Sequence, residues 1–157
     1  QGALFRHYRT KDEIWEDVIG WVAEQLLARV DEATRGVTSP LAALEAAFAA
    51  HVEFVVLHPG VPRMLFSELQ RAEDTAAKRK ARVLMAQYGE RLTALVEAGK
   101  ARGEIAAEVD AAAAVAQLVG TIQGLVIQSL LAGDPERIRS GAPAAFALYR
   151  RGIRRSR

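Results

Sequence analysis

Along most of this chain apolar residues return every three to four positions, and nowhere do they alternate with polar ones as a half-buried strand requires. Glycine, proline and capping residues interrupt the pattern at helix-length intervals. The pattern predicts an all-α fold. A helical stub ends near Tyr8. A helix follows over 11–34, with Ile14, Trp15, Val18, Trp21, Val22 and Leu26 on one stripe and Gly36 beyond its end. Ser39 caps a helix that starts at Pro40 and runs to His58. His58-Pro59-Gly60 breaks the chain, and Pro62 begins a short helix ending near Gln70. Asp74 or Thr75 caps a long helix to Arg102, stopped by Gly103. Asp110 caps an uncharged helix that Gly133 ends. Asp134-Pro135 begins a loop or short turn, and Pro143 opens the last helix, to about Arg154. No internal repeat or linker divides the chain, and 157 residues suit one domain with a sizeable core.

The 111–133 stretch carries no charge and is long enough to span a bilayer. Gly120 and Gly124 even have the spacing of packed membrane helices. Gln117, Thr121, Gln123, Gln128 and Ser129 argue against insertion, as does a run of weakly hydrophobic alanines, and no second stretch qualifies. A helix buried all round in a soluble assembly explains the same pattern. Leu118, Ile122 and Leu125 suit the protomer core. Gln117, Gly120, Thr121, Gly124 and Gln128 form a small, mildly polar stripe that permits close helix approach across a dimer. The last helix adds Phe146, Tyr149 and Ile153 at helical spacing. The expectation is a twofold dimer with Phe146 and Tyr149 in its interface; the alternative is that these residues all fill one monomer core.

Composition narrows the chemistry. The chain has no cysteine, which excludes disulfides, thiolate metal sites and cysteine nucleophiles. Its net charge is only +2, so any affinity for nucleic acid must come from a local patch. No signal peptide is recognised in it, and a cytoplasmic location is expected. The common hydrolase, zinc-protease, P-loop and dinucleotide signatures are absent. The residues three before His7, His51 and His58 are Leu4, Phe48 and Val55, so the Glu-x-x-His pairs of a di-iron bundle are missing. No enzyme, cofactor or metal site is expected. Polar residues on apolar helix faces suit a ligand pocket instead. His51 sits among Phe48, Val52, Phe54 and Val55, Tyr88 among Leu84, Met85, Leu92 and Leu95, and Gln123 among Val119, Val126 and Ile127. Phe48, His51, Phe54, Tyr88 and Gln123 are the candidate ligand-binding residues, with satisfied core positions as the alternative for each. The basic runs Lys78-Arg79-Lys80 with Arg82, and Arg150, Arg151, Arg154, Arg155 and Arg157, read as solvated helix ends.

The N-terminal segment carries the most specific signal. Thr10 and Glu13 have capping-box spacing, so the helix beginning at Lys11 offers free N–H groups beside an ammonium. That combination binds phosphate, and it equally suits a capped surface helix. The order Gly2-Ala3-Leu4-Phe5, then His7-Tyr8, then Thr10-Lys11 and Glu13-Ile14 resembles the end of the DNA-binding domain in the tetracycline-repressor-like (TetR) family. His58-Pro59-Gly60-Val61 and Gln123-Gly124-Leu125 are further phrases of that family. The resemblance implies DNA contacts by Gln1 and Ala3, nearer the base-reading part of the recognition helix, and by Phe5, Arg6, His7 and Lys11. Phe5 stands where family members often have a tyrosine, so a hydroxyl contact to phosphate is lost or taken over by Arg6. The resemblance divides the chain into a helix-turn-helix remnant over 1–10 and a ligand-sensing and dimerisation domain over 11–157, with 11–34 as connecting helix. It implies a homodimer whose last two long helices form an intersubunit four-helix bundle, and release from operator DNA by a small, mainly apolar effector. It places two helices and most of a third ahead of Gln1, without which specific DNA binding is not expected. The rival is an all-helical dimeric binding or scaffold protein with no DNA role.

Overall fold

The computed structural model describes residues 10–155. Among them are six helices: α1 (Lys11–Thr34), α2 (Pro40–Leu57), α3 (Gly60–Leu69), α4 (Ala76–Ala101), α5 (Ala111–Ala132) and α6 (Glu136–Ile153). The single extended contact among these residues is an isolated bridge between Ile105 and Arg154. The helix starts follow local capping chemistry. Thr10, Ser39, Thr75 and Asp110 each accept a hydrogen bond from the backbone N–H three residues on, at 3.2, 3.1, 3.1 and 2.8 Å. Gly103 and Gly133 end α4 and α5 in left-handed backbone at φ 68° and 66°. At both ends the following N–H reaches back to the carbonyl of Gly99 or Ser129, which closes the last turn.

Two starts differ from the sequence pattern. α3 begins at Gly60 rather than Pro62. α6 begins at Glu136 and carries Pro143 inside it, not at its start. The Asp134 carboxylate accepts from the Glu136 N–H at 3.1 Å, so capping chemistry exists a full two turns earlier. Ile138 and Ala142 are buried and hold those turns to the body. Pro143 lies on the exposed side, where its missing N–H costs one helical bond and no packing.

α1, α2 and α4 pack on one another, and the α5–α6 pair packs on α2 and α4. Tyr88, Phe54, Phe146, Leu44, Leu92, Leu118 and Ile122 are sealed at their junction. A second cluster, Ile19, Met64, Ala77 and Ala81, lies where α3 meets α1 and α4. Trp21 departs from its expected stripe: the core side of α1 is Ile19, Val22, Leu26, Leu27 and Val30, and Trp21 is 42% exposed. Its ring lies against Phe54 and edge-on to His58.

The membrane reading also changes. α2 as well as α5 is long and apolar enough to cross a membrane, with mean hydropathies of 1.6 and 1.5. Yet Glu45 and Glu53 on α2 pair with Arg150 and Arg139 on α6, at 3.4 and 2.9 Å. Half of the α2 span is buried inside the body. α2 is therefore a core helix of the bundle.

Candidate functional site: an apolar cavity beside the third helix

A cavity of about 310 Å³ lies between α1, α2, α3, α4 and α5. α1 supplies Ile19, Val22 and Leu26 to its wall, and α3 supplies Val61, Pro62, Leu65, Phe66 and Leu69. α4 adds Leu84 and Met85, and α5 adds Val119, Ile122 and Val126. The polar lining is limited to His51, Arg82 and Gln123, and no carboxylate is present among the described lining residues. Leu69, Arg82 and Gln123 are exposed and mark the rim. Arg82 is held by Asp74 at 2.6 Å.

Of the expected ligand residues, His51, Phe54 and Gln123 line this cavity. Tyr88 stands behind His51, fully buried, with its Oη 3.1 Å from His51 Nδ1. Phe48 does not reach the cavity: it is sealed in the core and its ring lies tilted against Phe146, with centroids 5.3 Å apart. The sequence reading missed the α3 wall, although Leu65, Phe66 and Leu69 are a concentrated apolar set on a helix too short to need them all for its own packing. The arrangement pairs an imidazole with a phenol but sets no acid or nucleophile beside them in the lining, which suits binding. Among the described residues no group of His, Cys, Asp or Glu is arranged to hold a metal ion.

Burial pushes the His51 imidazole down to about 4 and raises the Tyr88 phenol above its ordinary value. A histidine that resists protonation when folded, but accepts it near 6.5 when unfolded, contributes stability that is complete above about pH 6.5. That contribution is lost as the pH falls towards 4. Between pH 7.5 and 5.0 the loss is about 2 kcal/mol. The arginine-paired carboxylates Asp12, Asp31, Glu53 and Asp74 are shifted down by their partners, so their contribution is lost only at lower pH. Urea unfolding at the two pH values is expected to show the fall in the native protein and little of it in His51→Gln. An equal fall in both would contradict the assignment.

On α5, Gln117, Gly120, Gly124 and Gln128 lie on the exposed side, and Thr121 is half-buried with its hydroxyl donating to the Gln117 carbonyl at 2.8 Å. A Cβ added at Gly120 or Gly124 would meet nothing within 4 Å. Phe146 and Tyr149 correct the expectation for α6. They are 2% and 3% exposed and face the protomer core, while Leu148 (64% exposed) points outward. The α6 period places 138, 142, 146, 149 and 153 on the inner side, so the residues between them form the outer face. The Tyr149 hydroxyl has no hydrogen-bond partner among the described residues, and burial pushes it up to about 12.

At the other end of the body, Lys11 opens α1 with its ammonium 5.5 Å from the centre of the Trp15 ring. Gln1, Ala3, Phe5, Arg6 and His7 lie outside the described residues. Asp12 is gripped by Arg71, which follows α3, at 2.6 Å. The basic run on α4 is largely paired: Lys80 with Glu16 at 3.2 Å, Arg79 and Arg82 with Asp74 at 3.5 and 2.6 Å, and Lys78 with the Arg71 carbonyl.

An all-helical body with an apolar cavity and an outward face of small residues defines the class as a helical-bundle domain with an internal cavity. Residues 40–145 match the family described as tetracyclin repressor-like, C-terminal domain, and the chain belongs to that family. The fold is similar to that of the transcriptional regulator FadR from Bacillus subtilis in complex with stearoyl-CoA: TM-score 0.81, 17% identity, covering 97% of this chain and 81% of that one. It is also similar to the TetR family transcriptional regulator PfmR from Thermus thermophilus, with TM-score 0.82 and 22% identity over 99% of this chain and 80% of that one. Among curated proteins it is 22% identical over 124 residues to the nucleoid occlusion factor SlmA of Aliivibrio fischeri. That match covers 79% of this chain, which spans 63% of the relative's length.

Proposed function

We propose that this chain is the ligand-sensing and dimerising body of a DNA-binding transcriptional regulator, acting as a repressor that a small, mainly apolar effector releases from its operator. Residues 1–10 are then the end of the DNA-binding head, and α1 is the connecting helix. The observation that carries the reading is the apolar cavity walled by α3, with Arg71 directly beyond α3 tied to Asp12 in the first turn of α1. Occupancy of the cavity bears on α3, and α3 is joined to the point where the head attaches. A likeness in fold to a regulator crystallised with stearoyl-CoA, a ligand with a long apolar chain, supports an effector with an extended apolar part. A twofold dimer through α5 and α6 sets two heads at the spacing of two half-sites. An effector favouring a different spacing lowers DNA affinity, and DNA must lower effector affinity by the same factor. The reading places the protein in the cytoplasm and away from any membrane.

The test is filling the cavity. Leu65→Trp occupies it from the half-buried α3 position. It is expected to abolish stabilisation by apolar small molecules while the helical content stays native. Unchanged ligand stabilisation in Leu65→Trp would sink the cavity as the effector site. The DNA contact is tested separately, with a family helix-turn-helix supplied upstream of Gln1. Lys11→Ala then weakens binding alike on all duplexes and lowers the salt slope by about one unit, because a phosphate contact carries no base identity. Gln1→Ala instead alters sequence preference. Absence of DNA binding at low salt would leave the scaffold alternative.

A further inference from the structure

The few polar atoms of the cavity are oriented, and their orientation defines a ligand class. Tyr88 is fully buried, and His51 Nδ1 is the only hydrogen-bond partner of its hydroxyl among the described residues. A buried hydroxyl left without an acceptor is costly, so the bond runs one way: Tyr88 donates and Nδ1 accepts. The neutral imidazole then carries its hydrogen on Nε2. Nε2 has no partner among the described residues. It is not sealed off either, since the one sealed, unpaired side-chain polar atom among the described residues is Tyr149 Oη. Because His51 lines the cavity, its open side is the cavity. The inner wall therefore presents one directed N–H donor, while the Gln123 amide and the Arg82 guanidinium stand at the exposed rim.

We propose that the cavity selects an uncharged, mainly apolar molecule of about a dozen carbons with a single carbonyl acceptor (ketone, ester or amide), received by His51 Nε2–H, with Tyr88 as the residue that positions the imidazole. The size follows from proportion: a cavity of roughly 150 Å³ accepts benzene, and this one is about twice as large. A free carboxylate fits poorly. It would leave water for one N–H donor, and an isolated buried charge is strongly disfavoured. Proton transfer to His51 would instead bury an ion pair, at a position where burial already disfavours the imidazolium. The only cation among the described lining residues, Arg82, is engaged by Asp74. It also lies six residues before Tyr88 on α4, roughly 9 Å along the axis. This inference rests on the cavity being the effector site.

The experiment uses three probes of equal carbon number, 2-undecanone, undecanoate and undecane (the last supplied from the vapour phase), read by calorimetry and thermal shift at pH 7.5. The native protein is expected to bind 2-undecanone at least tenfold more tightly than undecanoate. His51→Leu should lower the ratio of 2-undecanone to undecane affinity about tenfold. Tyr88→Phe should lower the same ratio severalfold, since it frees the imidazole tautomer. Long-range ¹H–¹⁵N spectra of the native protein provide a readout that no variant can spoil by misfolding: Nε2 should carry the hydrogen and shift on ketone binding. Equal or tighter binding of undecanoate overturns the inference while leaving the site intact. A ketone preference that survives in His51→Leu, or a hydrogen found on Nδ1, does the same. Failure of all three probes to bind overturns the cavity reading itself.

Discussion

Gly124→Leu is expected to leave the protomer folded and to turn a dimer into a monomer. Gly124 sits on the exposed face of α5, and a Cβ there meets nothing within the protomer. Leucine is also the better helix former, so the isolated subunit loses nothing and its helix gains slightly. The same face carries Gly120, with Ile127 at 40% and Leu131 at 78% exposure. Leu148 on neighbouring α6 is exposed at 64%. Such apolar side chains around a strip without Cβ atoms suit a second pair of helices packed closely, as in a four-helix bundle. In a twofold contact each substitution acts twice, once from each subunit. Sedimentation at micromolar concentration should show dimer for the native chain and monomer for Gly124→Leu, with unchanged circular dichroism. With a DNA-binding head present, affinity for a two-half-site operator should fall roughly a hundredfold or more, because the second head no longer binds intramolecularly. A native chain that sediments as monomer, or a variant that stays dimeric, removes the α5–α6 face as the interface.

Arg71→Ala is expected to separate effector binding from DNA release. The Arg71 guanidinium faces Asp12 at 2.6 Å, Glu68 at 3.5 Å and Glu73 at 3.6 Å. Glu68 is only 4% exposed and accepts the hydroxyl hydrogen of Thr75, the residue that caps α4. The end of α3, the start of α4 and the first turn of α1 thus meet in one charged knot. The Arg71 guanidinium holds the Asp12 carboxyl below its ordinary range. The knot is open to water on the Asp12 side, where its loss costs little, but Glu68 is buried and loses a cationic neighbour, so thermal stability should fall while the fold is retained. Its geometry matters more, because Leu65, Phe66 and Leu69 on α3 line the cavity. Without Arg71 a displaced α3 no longer draws on Asp12. The ligand-dependent change in DNA affinity should shrink roughly tenfold, and the effect of DNA on ligand affinity by the same factor. Ligand affinity of the DNA-free protein should stay within about twofold of native, which marks a coupling defect rather than a binding defect. Full release of DNA by ligand in Arg71→Ala would show that the signal takes another path.

What the sequence determined by itself was local. Thr10, Ser39, Thr75 and Asp110 satisfy N–H groups three residues away, and Gly103 and Gly133 accept left-handed backbone, so the limits of α1, α2, α4 and α5 are legible from short windows. The exposed Gln117–Gly120–Gly124–Gln128 strip was legible for the same reason, since small residues at helical spacing need no knowledge of neighbours. Tertiary structure decided which of several apolar faces looked where. α2 is apolar around most of its circumference, so its pattern could not say that Phe48 turns to Phe146 while His51 turns to Tyr88 and the cavity. α6 carries aromatic residues on one face and Leu148 on another, and only packing against α2 and α5 showed that Phe146 and Tyr149 are the inner set. α6 could start before its proline because Ile138 and Ala142 found buried places that a local rule does not see. The knot of Arg71 with Asp12 joins residues 59 apart in sequence, and the cavity draws its wall from five helices. Caps act over one helical turn and are written into the chain where they act. Faces, cavities and long-range ion pairs depend on which surfaces meet, and that is settled only when the helices pack.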